Sequence, residues 1–155
     1  MKINDTVFGE LNYITSWHGN AKILFCGDVI DIAIMIDGEE DGIFSEAQYE
    51  AFNSLVSKWE QIQDSLLSAI LDYYLRVRSE LGYADEENKA YPLIDTIDQI
   101  RSMIKIVGIS IPYEDIFEGR DAGITFDCSW DIENGLGIRL INEEVFKIGY
   151  QDVVL

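Results

Sequence analysis

From Ser45 to Leu81 the chain runs thirty-seven residues without a glycine or a proline, and this run constrains the fold more than any other feature. An unbroken helix of that length would span ~55 Å. A compact domain of 155 residues is only ~40 Å across. The run therefore predicts a helix that bends or breaks near Lys58 to Ser65, an elongated domain, or a helix end that packs on another subunit. Ser45 with Gln48 three residues on is a capping-box start, and Gly82 is a natural stop. Phe52, Leu55/Val56, Trp59, Ile62, Leu66, Ile70, Tyr73, Val77 and Leu81 recur in steps of three and four, which predicts the buried stripe. Asp72 and Glu80 each lie four positions from Arg76 and predict ion pairs on the outer face.

The flanking sequence reads as strands. Phe8 to Leu11, Tyr13 to His18, Ala21 to Phe25 and Val29 to Asp37 are rich in β-branched and aromatic residues and punctuated by glycines at 9, 19, 27 and 38. Ile30, Ile32, Ile34 and Ile36 alternate with Asp31, Ala33, Met35 and Asp37, giving one wholly apolar face and one mixed face that is partly covered. After an acidic loop from Tyr83 to Pro92, a short helix is predicted around Asp95 to Met103 and a strand over Ile106 to Ile111.

From Gly123 onward the pattern is a β-meander. Ile124, Phe126, Cys128 and Trp130 alternate with polar residues, as do Leu136, Ile138 and Leu140. Matching apolar faces pairs Trp130 with Leu136, Cys128 with Ile138 and Phe126 with Leu140. That register puts Asp127 across from Arg139 and leaves a five-residue loop, Asp131 to Gly135, with Gly135 free to take positive φ. A further strand from Val145 to Gly149 follows the Asn142-Glu143-Glu144 turn, and Asp152 to Leu155 closes the chain. The expected class is α+β: an antiparallel sheet of N-terminal strands plus C-terminal meander, packed against one long helix and a shorter second helix, in a single domain over residues 1–155.

Cys128, Trp130, Asp131, Gly135-Leu136-Gly137, Val145, Ile148-Gly149 and Asp152 form a Cys-x-Trp-Asp, Gly-Leu-Gly, Val-x-x-Ile-Gly-x-x-Asp series. Over roughly the last 35 residues it resembles the C-terminal segment of an uncharacterised bacterial domain family. That family's N-terminal strands and long helix match this chain in order alone. Its members look like small cytoplasmic accessory or immunity proteins of bacterial toxin systems. The resemblance implies a binding protein and carries over no catalytic residue.

Charge sets the class of partner. The chain has 29 Asp+Glu against 11 Lys+Arg, a formal net charge of -18. Phosphate contacts need Lys and Arg, so nucleic acid is excluded as a partner, and anionic membranes are disfavoured for the same reason. The acids are spread along the chain, and 48% hydrophobic residues suffice for a core, so the charge is expected to coat a folded surface. The N-terminus lacks the apolar segment of a signal peptide and no stretch is long and apolar enough for a membrane helix, so a cytoplasmic location is expected. Cys26 and Cys128 read as reduced, strand-borne core cysteines, and His18 as a structural or surface residue.

Two loops concentrate the acid at strand ends: Asp37, Glu39, Glu40 and Asp41, and Asp131 with Glu133, beside Asp127 and Trp130 on the preceding strand. These eight residues are the candidate contacts for a basic protein partner, a bacterial toxin in the most specific form of the reading. Carboxylates would steer the cation and Trp130 would anchor it where exposed. Asp37 to Gln48 also has oxygen donors at positions 1, 3, 5 and 9 and glycine at 6, as in an EF-hand. Gln48 at position 12 and the entering strand break that pattern. No catalytic residue, metal or cofactor is assigned. A carboxylate- or metal-dependent hydrolase using Asp37, Glu39 and Asp41, or Asp127 and Asp131, is the alternative from another class. A housekeeping oligomer built on the long helix is the third reading; otherwise a monomer or weak homo-oligomer is expected.

Overall fold

A computed structural model describes residues 1–154. The order is β1 (Lys2–Asp5), β2 (Gly9–Ile14), β3 (Ser16–Phe25), β4 (Asp28–Ile36), α1 (Glu46–Ser57), α2 (Trp59–Glu80), α3 (Ile97–Arg101), β5 (Ile104–Ile111), β6 (Asp121–Cys128), β7 (Leu136–Ile141), β8 (Glu144–Gly149) and a 3-10 helix, Gln151–Val154. Among the described residues eight strands form one sheet in sequence order. Every neighbouring pair is antiparallel except β4 and β5, which are parallel because all three helices intervene between them. The α+β class is therefore the one the sequence predicted. Leu155, placed in the closing segment by sequence, lies outside the described residues.

The long apolar run breaks at Lys58, which ends α1 and begins α2 with φ -102° and ψ 8°. The break resolves the length conflict. At the start of α1, the Gln48 amide donates to Ser45 Oγ at 3.2 Å, and Gln48 Oε1 accepts from the Ser45 amide at 3.0 Å. Thr96 and Gln99 repeat this box at α3. Both boxes satisfy helix-start amides that have no partner within the helix.

The buried stripe departs from the predicted one beyond Ile70. Tyr74 and Arg78, not Tyr73 and Val77, continue Trp59, Ile62, Leu66 and Ile70 inward. The steps of four simply continue, but the polar identity of Arg78 hides them in the sequence. Arg76 has no carboxylate within ion-pair distance among the described residues, contrary to its predicted pairs; its guanidinium lies 5.4 Å from the Tyr73 ring centroid.

One apolar cluster spans the sheet, including Ile34, Ile36, Ile124, Phe126 and Ile138 of the strands and Leu66 and Ile70 of α2. At its N-terminal end Phe8 is the hub, with ring centroids 5.3 Å from Phe44, 5.1 Å from Tyr49 and 5.2 Å from Phe52. Both ends of the sheet reach α1. Asp5 accepts a 2.5 Å bond from the Tyr49 hydroxyl, and Glu143, in the β7–β8 turn, accepts from Ser54 at 2.8 Å and Lys58 at 2.9 Å. On the opposite face β3 and β4 are bare, with Asn20, Lys22, Asp31 and Ala33 exposed, so the mixed face of β4 is less covered than predicted.

That bare face ends at β6 and β7, where the terminal 3-10 helix packs. A Cβ at Gly123 of β6 would fall 2.5 Å from Val154 Cβ, so a side chain there would lift the helix off. Gly19, expected as a strand break, instead sits inside β3, where a Cβ would lie 2.7 Å from the Glu10 carbonyl oxygen. Because the obstacle is backbone, Gly19→Ala is expected to destabilise the protein by about 1–3 kcal/mol. Urea unfolding will read this as a lower midpoint; an unchanged midpoint would show that β2 can yield.

The meander register differs from the predicted one by four residues while keeping the same faces. Phe126 pairs with Leu136, Ile124 with Ile138 and Ala122 with Leu140. Alternation distinguishes odd slips from even ones but cannot choose among even slips. Packing chooses: Trp130 leaves the strand to meet the Tyr74 ring at 4.8 Å. The connection is consequently Ser129 to Gly135, longer than predicted, with Gly135 at φ 61°. Asp127 stands opposite Lys105, not Arg139. Arg139 instead bonds Asp121 at 2.7 and 2.9 Å in a buried pair.

Both cysteines are free. Cys128 is buried on β6, and burial pushes its thiol up to about 11. Cys26 is not on a strand but in the β3–β4 turn at φ 54°, followed by Gly27 at φ 89°. Consecutive positive φ values are what a two-residue hairpin turn requires.

Candidate acidic interface

The parallel pairing of β4 with β5 decides where the acid collects. Parallel strands deliver their C-terminal ends to the same end of a sheet, so the loop after β4 and the loop after β5 emerge side by side. The Asp37 amide donates to the Ile111 carbonyl at 3.0 Å. Buried Gln48 then ties the loops together: its Nε2 donates to the Asp37 carbonyl at 2.7 Å and the Pro112 carbonyl at 3.1 Å. Further out, the Tyr113 hydroxyl donates to Glu39 Oε1 at 2.9 Å, and Trp17 Nε1 donates to the Glu39 carbonyl at 2.8 Å.

This bracing unites Asp37, Glu39, Glu40 and Asp41 with Glu114, Asp115 and Glu118. The base on these loops, Arg120, turns to Glu143, with bonds of 2.8 and 2.9 Å. Burial pushes the Asp37 carboxyl above its ordinary range, with the Tyr113 backbone amide opposing. The hydrogen bond to Glu39 raises the Tyr113 phenol. Among the acids stand exposed apolar side chains, Ile43 at 74%, Ile116 at 53% and Tyr113 at 42% relative exposure. A groove of about 240 Å³ runs between the Pro112 to Gly119 loop and α1. An interface that combines a field of one sign with apolar and aromatic contacts can both steer and hold a partner.

The other four candidate residues lie elsewhere. β6 runs antiparallel to β5, so Asp127, Trp130, Asp131 and Glu133 sit at the opposite end of the sheet. The structure corrects Trp130 as a surface anchor, because it is 7% exposed beneath Tyr74. The Asp131 carboxylate accepts from the Asn134 backbone at 3.2 Å and its Nδ2 at 2.9 Å, which shapes the loop. Glu133 and Asp127 remain exposed.

The EF-hand-like spacing does not become a ligand cage. Asp41 accepts from the Ile43 amide at 3.0 Å, Glu39 turns to Tyr113, and Gln48 faces the core. Among the described residues no three His, Cys, Asp or Glu side chains are grouped to hold a metal ion. His18 contacts Ser16 Oγ at 2.9 Å.

Sequence reading missed Tyr113, Glu114, Asp115, Ile116 and Glu118. The signal was present in Pro112-Tyr-Glu-Asp-Ile-Phe-Glu-Gly119, where acids interleave with aromatic and aliphatic residues after a strand. Fold and surface together define a mostly antiparallel α+β protein bearing an acidic, partly apolar platform at the one end where two parallel strands finish. The chain belongs to the family described as Domain of unknown function (DUF6985), which matches residues 7–155. No curated protein and no solved structure gave a match. Among the described residues no helix is long and apolar enough to cross a membrane.

Proposed function

We propose that this chain is a cytoplasmic, non-enzymatic binding protein whose acidic platform engages a basic protein, and that the partner is a bacterial toxin neutralised by the contact. The observation that supports this most is the union of seven carboxylates from two loops with exposed Ile43, Tyr113 and Ile116. The net charge of -18 adds a long-range field that accelerates encounter with a cationic surface. The apolar side chains then supply the short-range contact that slows dissociation. Against a nuclease, the carboxylates would occupy the places of substrate phosphates. The toxin assignment rests on the C-terminal sequence resemblance described above.

The first check is whether an adjoining reading frame encodes a basic, toxin-like protein that binds this chain. Glu40, Glu114 and Glu118 suit mutation because their carboxylates accept no hydrogen bond among the described residues. Changing all three to Gln is expected to lower the association rate about tenfold at low ionic strength, with little change in dissociation. The difference should shrink in concentrated salt. A rate that is the same for both proteins at every ionic strength would remove the electrostatic part of the proposal.

A further inference from the structure

At the opposite end of the sheet lies a cleft of about 650 Å³ between the second half of α2, the β6–β7 loop and the end of β8. That volume falls among small-molecule sites, which run from about 300 to 1,000 Å³. Its walls are aromatic: Tyr73 from α2, Tyr91 from the loop before α3, and Tyr150 after β8. Tyr91 is held in place by stacking on Tyr74, with ring centroids 6.3 Å apart. The hydroxyls of Tyr73, Tyr91 and Tyr150 donate to no protein acceptor among the described residues, in contrast to Tyr49, Tyr74 and Tyr113. They are left for solvent or a ligand.

Charge narrows the ligand. Glu80, Asp131 and Asp152 line the cleft, opposed by Arg76 alone among the described residues. Arg76 already lies against the outer tyrosine, 5.4 Å from the Tyr73 ring centroid, a cation on an aromatic face. We infer that the cleft binds a small linear organic dication, an alkyl chain with an amine or guanidine at each end, its cationic groups resting on Tyr91 and Tyr150 and pairing with Asp131 and Asp152. A flat carboxylate patch would attract any cation. Aromatic walls favour one that carries an apolar spacer. The site is remote from the acidic platform and does not depend on its partner.

Isothermal titration of the protein with agmatine, at moderate salt, tests this. Saturable binding of one agmatine per chain is expected, with 1,4-butanediol, the uncharged analogue, giving no binding. Tyr150 is half-exposed and Asp152 exposed, so Tyr150→Ala and Asp152→Asn should fold normally and each weaken agmatine roughly fivefold. The Glu40, Glu114 and Glu118 triple variant should bind agmatine like the parent protein. Unsaturable heats, equal weakening by the platform variant, or unchanged affinity in both cleft variants would overturn the assignment, the first two by revealing diffuse counter-ion attraction.

Discussion

Replacing Arg78 by Ala is expected to destabilise the protein by about 3 kcal/mol, among the largest effects of any single polar substitution. The side chain is 2% exposed yet has no carboxylate partner among the described residues. Its guanidinium instead donates to three backbone carbonyls of the loop between α2 and α3: Tyr91 at 2.8 Å, and those of Tyr83 and Glu86. One turn earlier, the Tyr74 hydroxyl donates to the Pro92 carbonyl at 2.6 Å. Two side chains four residues apart on α2 thus hold a loop that has little regular structure of its own. Hydrogen bonds from a charged donor are worth about 1.5–3 kcal/mol each, discounted because carbonyls of an exposed loop recover water once released. For a chain of this size the loss corresponds to a melting temperature lower by about 6–12 °C. Arg78→Lys should rescue only part, since an ammonium cannot match the planar fork. Hydrogen exchange should rise across residues 83–92 in both variants. A stability within about 1 kcal/mol of the parent, with exchange unchanged, would show that Arg78 is not the latch.

Glu143 carries the second large effect, and its sign is pH-dependent. Hydrogen bonding from Arg120, then from Lys58 and Ser54, lowers its carboxyl from an ordinary 4.5 to about 2 against an opposing effect of burial. A depressed carboxylate stabilises the fold fully above the unfolded value, and that stability is lost as pH falls through about 4.5 toward 2. Both basic partners are partly exposed, which screens the interaction, so Glu143→Gln is expected to cost about 2 kcal/mol at pH 7. Between pH 5 and 2 the variant should lose less stability than the parent, and the two curves should converge. Parallel curves over that range would place the acid sensitivity elsewhere. The backbone of Glu143 is also left-handed, at φ 62°. These four bonds from three residues therefore hold a conformation that an unbranched L-residue otherwise disfavours.

Much of the architecture was legible because it is locally encoded. Ser45-x-x-Gln48 announces a helix start whatever lies around it, since the groups it satisfies are its own neighbours. The run to Leu81 implied a break because a compact molecule could not contain it straight, and the structure breaks at Lys58. The bounds of β7 follow from Leu136, Ile138 and Leu140 alternating between glycine and Asn142. Other features depend on partners distant in sequence. Arg78 could not be read as an inward residue without the carbonyls it meets. The candidate site was half-legible: the Asp37 to Asp41 loop stood out by its charge, but its neighbour from Pro112 to Gly119 joins it only through strand pairing.

The sequence by itself determined the α+β class, the start of α1, the apolar faces of the strands and the sign of the surface, all set by periodicity, capping and net charge. Tertiary structure alone decided the parallel contact of β4 with β5, the four-residue offset in the meander, the burial of Trp130 and the separation of the two acidic loops to opposite ends of the sheet. The reason is physical. Alternation specifies which face a side chain takes but is indifferent to even shifts and to strand direction. Those choices are made by the packing of Trp130 on Tyr74 and by the helical crossover between β4 and β5, which exist only once distant segments meet.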